Sequence, residues 1–335
     1  GGRTGQNWSL TYALQATSRD PLSGRDRPKM DDADDMSYSN WTGQNRLYGF
    51  NPFTGLSLVD ADTYEGLAPP TGTCAHFGGE YIDGQLLRYD QNTGVLTNAG
   101  SYCGMAHDYG DWCLVTGNED HSAYLYGTWK FGDHAEAWAT LSANRSIGRW
   151  TYDPPYVYLG PFQDAATARS LYLIRQLTRR EAGGWSRLAN DNKEQSWDLS
   201  AGLRGVWAYR FDWELSAGRS RYTVDEYVRT VDNARATEYF LGSPTGTAVD
   251  GSQIYAINQA RLYAPLSSSQ YDDLVVKSHN SAYSWVNQAS FGVSGDVVQG
   301  WAGPIRFATV AEVATQGYQL SPDPCANECY PVDVV

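Results

Sequence analysis

No run of about 18 consecutive apolar residues occurs, so no segment reads as a transmembrane helix. That absence leaves open a protein crossing a membrane with strands, which are short and half polar. Positive charge is also scarce. Lys and Arg number 25 against 38 Asp and Glu, a formal net charge of −13. Nucleic acid is excluded as a partner, because phosphate neutralisation needs clustered cations. Metal-site spacing is missing too. No pair of C-x-x-C segments stands at zinc spacing, and His76, His107, His121, His134 and His279 are scattered without an H-x-x-x-H. The acidic run Asp31, Asp32, Asp34 and Asp35 lacks the Gly and Glu of a calcium loop. The GSP, GTG and GGE segments read as turns, since none lies between an apolar strand and a helix. The expectation is no metal, no cofactor and no enzyme. No signal peptide is recognisable, and the chain opens GGRTGQNWSL without an initiator Met, as a mature form or an internal piece would.

Five cysteines, at 74, 103, 113, 325 and 329, sit in Gly/Asn/Asp-rich stretches. That placement suggests disulfides in exposed loops and an oxidising, extracytoplasmic setting. Cys74–Cys103 is favoured, because GTC and SYCG read as turn ends flanking a small hairpin; Cys103–Cys113 is the alternative. Cys325 and Cys329 are spaced to close a small ring, and the odd count leaves one thiol over.

What the chain has in quantity is aromatic residues (24 Tyr, 12 Trp) and 34 Gly, a composition for long β-ribbons and elaborate loops. In Gln195 to Tyr222, Trp197, Leu199, Ala201 and Leu203 alternate with Asp198, Ser200 and Arg204. Past a short turn, Phe211, Trp213 and Leu215 alternate with Arg210, Asp212 and Glu214. Alternation at period two gives each ribbon one apolar and one polar face. Taken alone, this hairpin fits a soluble sandwich as well as a barrel. Seven such ribbons are expected, at about 7–16, 121–131, 135–146, 195–206, 210–222, 286–298 and 305–318. Long turn-rich segments fall at about 17–120, 147–194, 223–285 and 319–335. Within the second, Ala165 to Glu181 reads as either a helix or a ribbon. Connections therefore alternate strictly between short and long, which a sandwich does not require and an outer-membrane barrel does. The expected fold is all-β: a transmembrane antiparallel barrel segment with long extracellular loops, part of a larger barrel.

On the segments SWDLSAGLRG…FDWELSAGRSRY, YLYGTWKFGDHAEAWATLSANRS and GPIRFATVAEVATQGYQLSPDP the chain resembles the barrel portion of TonB-dependent outer-membrane receptors, over about 120 residues. The resemblance implies ligand capture by extracellular loops, energised uptake past a plug, and a place in the bacterial outer membrane. Implied partners are membrane lipid, the TonB complex, and the remaining barrel and plug segments, in this protein or in other chains. Such barrels close with ~22 strands. Seven ribbons, no recognisable plug or TonB box, and an end inside a loop make this chain look like a fragment.

Loop aromatics are the ligand-binding candidates: Trp41, Tyr48 and Phe50; Tyr102, Tyr109 and Trp112; Trp150, Tyr152 and Tyr156. Exposed aromatics stack on sugars and anchor partners, although they also glue loops together. Asp198, Arg204, Arg210, Asp212 and Glu214 are expected on the lumen side. The alternative function is a secreted β-rich carbohydrate-active enzyme or lectin using the strand pair Asp212 and Glu214. A surface adhesin or layer protein is a third reading.

Overall fold

The computed structural model describes residues 1–32, 55–90, 95–107, 109–152 and 154–324. Along the chain the strands are β1 (Gly2–Thr4), β2 (Trp8–Arg19), β3 (Leu22–Ser23), β4 (Gly55–Asp60), β5 (Gly66–Leu67) and β6 (Tyr81–Asp90). Next come β7 (Val95–Met105), β8 (Cys113–Val115), β9 (Gly117–Phe131), β10 (Ala135–Trp150), β11 (Tyr156–Asp164) and β12 (Ser170–Gln176). The last are β13 (Asn190–Trp207), β14 (Phe211–Val231), β15 (Gly246–Thr247), β16 (Gln253–Tyr255), β17 (Val275–Gly300) and β18 (Gly303–Ser321). Helices are short: α1 (Arg179–Ala182), α2 (Trp185–Leu188), α3 (Asn233–Phe240), α4 (Gln259–Leu262) and α5 (Ser268–Leu274).

The alternating ribbons form one antiparallel meander of eight strands, in the order β1-β2-β9-β10-β13-β14-β17-β18. Its β9–β10, β13–β14 and β17–β18 turns are tight and lie at one end. Ala208 (φ 51°) and Tyr209 (φ 55°) take the left-handed conformation in the β13–β14 turn, as a primed hairpin turn demands. At the other end are three long connections. Among the described residues the sheet is open, so the all-β class is established and barrel closure is not.

The three long connections are folded, not loose. Together they supply a second sheet, ordered β15-β16-β11-β12-β4-β5-β7-β6. The first connection gives β4 to β7, the second β11 and β12, the third β15 and β16. This sheet and the short helices enclose a core containing Leu56, Leu58, Phe77, Val157, Leu173, Leu177, Phe240, Leu262 and Tyr271. The disulfide is Cys74–Cys103, closing a 29-residue separation inside the first connection. Cys113 is a free thiol, and Cys325 and Cys329 lie outside the described residues. Of the two readings for Ala165 to Glu181 the ribbon holds: Leu171 and Leu173 point into the core from β12. A Thr178–Glu181 capping box and left-handed Gly183 confine the helix to α1.

The meander strands run past the expected ends. β14 continues to Val231 and β17 begins at Val275. There the apolar alternation stops, but backbone pairing continues, held by cross-strand polar pairs. Lys277 Nζ lies 2.8 Å from Asp191 and His279 Nε2 2.9 Å from Asp225. At the turn end, a register shift between Asp296 and Val298 in β17 removes Val297 from the pairing.

The two parts differ in how they are stabilised. Among the described residues the buried apolar side chains belong to the loop domain, and the long strands contribute only Val231 and Val275 at their loop ends. The meander's apolar face instead carries exposed Leu14, Trp129, Leu199, Leu215 and Phe291. A sheet must bury its apolar face against another layer, or place it in lipid, to be stable.

Candidate functional site

Register fixes which side chains share a face of the meander. One row across it reads Leu10, Gly127, Ala139, Ala201, Ala217, Ala289 and Val313. Toward the short turns come Trp8, Trp129, Leu203, Leu215 and Phe291, then Trp213 and Val293, then Trp207, Phe211 and Phe307. Toward the long connections come Leu125, Leu141 and Leu199, then Trp197 beside Trp285 across Arg221. Aromatic rings thus bracket aliphatic and small residues. From Trp197 to Trp207 is ten residues of β13. At ~3.4 Å per residue, that band spans about 34 Å along the strand.

The opposite face is polar. Lys130, Glu136, Arg204 and Glu214 pair in register across β9, β10, β13 and β14, so charge alternates along the row. Arg204 donates to Glu136 at 2.5 and 3.0 Å and to the Tyr126 hydroxyl at 3.5 Å. The Trp138 indole donates to Glu214 Oε1 at 3.1 Å. Ser9 bonds Thr128 at 2.7 Å and Ser216 bonds Ser290 at 2.8 Å. Near the turns a cavity of about 750 Å³ is lined by Lys130, Glu136, Arg204, Asp212 and Glu214, among others.

The expected division of the Gln195–Tyr222 hairpin into two faces is therefore found. Trp197, Leu199, Phe211, Trp213 and Leu215 share one face, and Asp198, Arg204, Asp212 and Glu214 the other. Arg210 departs from the second set. It sits in the turn, with its guanidinium 4.8 Å from the Phe211 ring centre. Asp212 and Glu214 share a face, with Glu214 accepting from the Trp138 indole within the charge row.

In the loop domain, two polar centres tie the connections together, and sequence reasoning anticipated neither. Arg175 of β12 is fully buried. It pairs with Glu181, donates to the carbonyls of Leu262 (2.6 Å) and Ala264 (2.9 Å), and lies 5.3 and 5.0 Å from the ring centres of Phe77 and Phe240. One side chain thus touches all three long connections. Glu181 also accepts from the Thr178 amide and hydroxyl and the Leu266 amide. The second centre joins Arg25 to Glu80 and Asp111, both at 2.7 Å, with Arg179 at 3.6 Å from Asp111. Burial pushes the Asp111 carboxyl up, against the pull of Arg25. The β4–β5 and β11–β12 turns are twins: Asp60 and Asp164 accept amides two and three residues on, and Tyr64 and Ala168 both have φ of 57°. The shared D-A-x-T string (Asp60–Thr63, Asp164–Thr167) was the legible signal for both.

The ligand-binding aromatics separate. Trp112 stacks on exposed Tyr152, centroids 4.6 Å apart. Trp150 and Tyr156 are half-buried in β10 and β11. Tyr102 is a correction: at 2 % exposure it is a core residue, lying over the β4 backbone at Gly55, where a ligand has no access. Trp41, Tyr48, Phe50 and the Tyr109 side chain lie outside what is described. Among the described residues no group of His, Cys, Asp and Glu is arranged to hold a metal ion.

No family profile, curated protein or solved structure matches this chain. The class defined by its own geometry is an all-β protein in which a long antiparallel meander carries a domain built from its loops.

Proposed function

We propose that the chain is the barrel segment of a TonB-dependent outer-membrane receptor, whose long connections capture a ligand for energised uptake. The observation carrying this reading is the meander itself. It has no core of its own, an apolar face with an aromatic border at each end, and long connections at one end only. Lipid is the surrounding that satisfies such a face. The charge row from Lys130 to Glu214 then faces the lumen near the short turns, on the periplasmic side. The domain closed by Cys74–Cys103 then stands outside the cell, where disulfides persist. The remaining strands and the plug complete the barrel, and the TonB complex is the partner that supplies energy. Trp112 and Tyr152 are the described aromatics best placed to meet a ligand, because Tyr152 is exposed and their rings are already stacked.

Membrane fractionation tests the reading. The full chain is expected in the outer-membrane fraction, resistant to alkaline extraction and soluble only with detergent. A chain that stays in solution without detergent, with Leu199 and Leu215 covered by a second sheet, refutes it. Hydrolysis of an oligosaccharide that is lost on Asp212→Asn would favour the glycosidase alternative.

A further inference from the structure

Apart from Arg3, beside Leu10 in the short β1, the arginines of the apolar face stand on its long-connection side. Arg219 stands in register with Leu199, and Arg221 lies between Trp197 and Trp285. One row further, Arg145 lies between His121 and Gln195. All of these arginines are exposed. The carboxylates of the same face have other partners: Glu119 the His121 ring (3.3 Å), Asp225 the His279 ring (2.9 Å), and Asp191 both Lys277 (2.8 Å) and Arg149 (3.7 Å). Arg221 instead lies 4.5 Å from the Tyr283 ring centre. The band therefore carries uncompensated positive charge. It also adjoins a groove of about 730 Å³, with Leu14, Ala143 and Trp197 on its apolar side and His121, Arg145 and Gln195 on its polar side.

We propose that Arg145, Arg219 and Arg221 bind the phosphate of an anionic membrane lipid in the leaflet nearest the long connections, with its acyl chain along the Leu14–Trp197 side of the groove. This rests on the membrane reading above. Arginine on a lipid-facing strand costs ~2–4 kcal/mol at the bilayer midplane and little at the interface. Its planar fork matches a phosphate bidentately, so an anionic headgroup compensates the charge that Leu and Trp neighbours cannot. The partition of the groove, apolar on the bilayer side and cationic on the loop side, has the order of an acyl chain below a headgroup.

The test titrates the detergent-solubilised full chain with phosphatidic acid, phosphatidylcholine and inorganic phosphate, for wild type and for the variant combining Arg145→Gln, Arg219→Gln and Arg221→Gln. Arg235→Gln, an exposed charge in the loop domain, is the control. Phosphatidic acid is expected to bind wild type and the control alike, and the triple variant about a hundredfold more weakly at low salt, at roughly a factor of five per arginine. Phosphatidylcholine should not distinguish the proteins, and inorganic phosphate should not compete. Equal binding by the triple variant overturns the proposal, as does inorganic phosphate binding as tightly as the lipid. Tryptophan quenching by brominated acyl chains in vesicles separates the two readings. Without quenching, the membrane reading fails and the lipid site with it; with quenching and an unchanged triple variant, the lipid site alone falls. If the triple variant does not fold, Arg145→Gln alone should weaken phosphatidic acid binding about fivefold, and Arg145→Lys, which keeps the charge but not the planar fork, should restore only part of it.

Discussion

The Trp138 indole lies over Gly202, its partner across β10 and β13, and reaches past it to donate to Glu214 on the next strand. A Cβ at position 202 would stand 2.8 Å from the indole and 2.6 Å from the Leu215 carbonyl oxygen. The glycine is thus the space through which a tryptophan on the polar face joins the row of charges. Gly202→Ala is expected to cost about 1–3 kcal/mol by overpacking and to detach the indole from Glu214. The measurements are thermal unfolding in detergent and ¹⁹F NMR of 5-fluorotryptophan protein, with the Trp138 resonance assigned through Trp138→Phe. An unmoved Trp138 resonance in Gly202→Ala would contradict this.

A second prediction concerns the centre shared by all three long connections. Arg175→Met leaves Glu181 buried without its cation, a loss of about 3–5 kcal/mol for a broken buried pair. The double variant Arg175→Met with Glu181→Gln removes both charges and should recover part of that loss. Protease resistance of the loop domain measures both. Because Arg175 also donates to the Leu262 and Ala264 carbonyls, recovery should be incomplete.

These cases mark what was legible in the sequence. The meander was, because a strand with two unlike faces writes its period directly into the chain, and the Trp197/Leu199 and Asp198/Arg204 sets fall on the faces expected. Strand ends were not, because Asp191–Lys277 and Asp225–His279 extend the pairing where alternation has already stopped. The loop domain was legible only at single points, such as Cys74–Cys103. Its core joins Phe77, Leu173 and Leu262, which come from different connections far apart in sequence, so no local pattern reports it. Tyr102 illustrates the cost: a tyrosine in a Gly/Ser-rich stretch looks exposed, yet a β4 glycine opens a place for it in the interior.

The disulfide gives a third prediction. Cys74–Cys103 constrains the unfolded first connection, and a loop of this separation is worth roughly 2–4 kcal/mol. Cys74→Ser with Cys103→Ser should lower the loop domain's stability by about that amount, measured as the denaturant midpoint of its proteolytic cleavage. The meander reaches the disulfide's core only through Val231 and Val275 at its loop ends, so its detergent-resistant strand signal should be unchanged. A variant in which both parts lose stability together would show the two to be one cooperative unit.

The last prediction is a pH dependence at the β4–β5 turn. Asp60 accepts the amides of Asp62 and Thr63, each at 3.0 Å, with Arg169 at 3.9 Å. The Thr63 amide is the main cause holding its carboxyl below the ordinary aspartate value of 3.8. In the unfolded chain that interaction is absent. A carboxylate whose folded pKa lies below its unfolded value contributes stability that is fully present above the unfolded pKa and lost as pH falls through the folded one. Asp60→Asn keeps an acceptor for the turn and removes only the charge. The wild type should therefore be more stable than Asp60→Asn at pH 6, and the gap should close as pH falls below about 4. Unfolding of the loop domain at several pH values measures it. A gap that stays constant down to pH 2 would mean that the turn is held by its hydrogen-bond geometry alone, with no contribution from the ionised carboxylate.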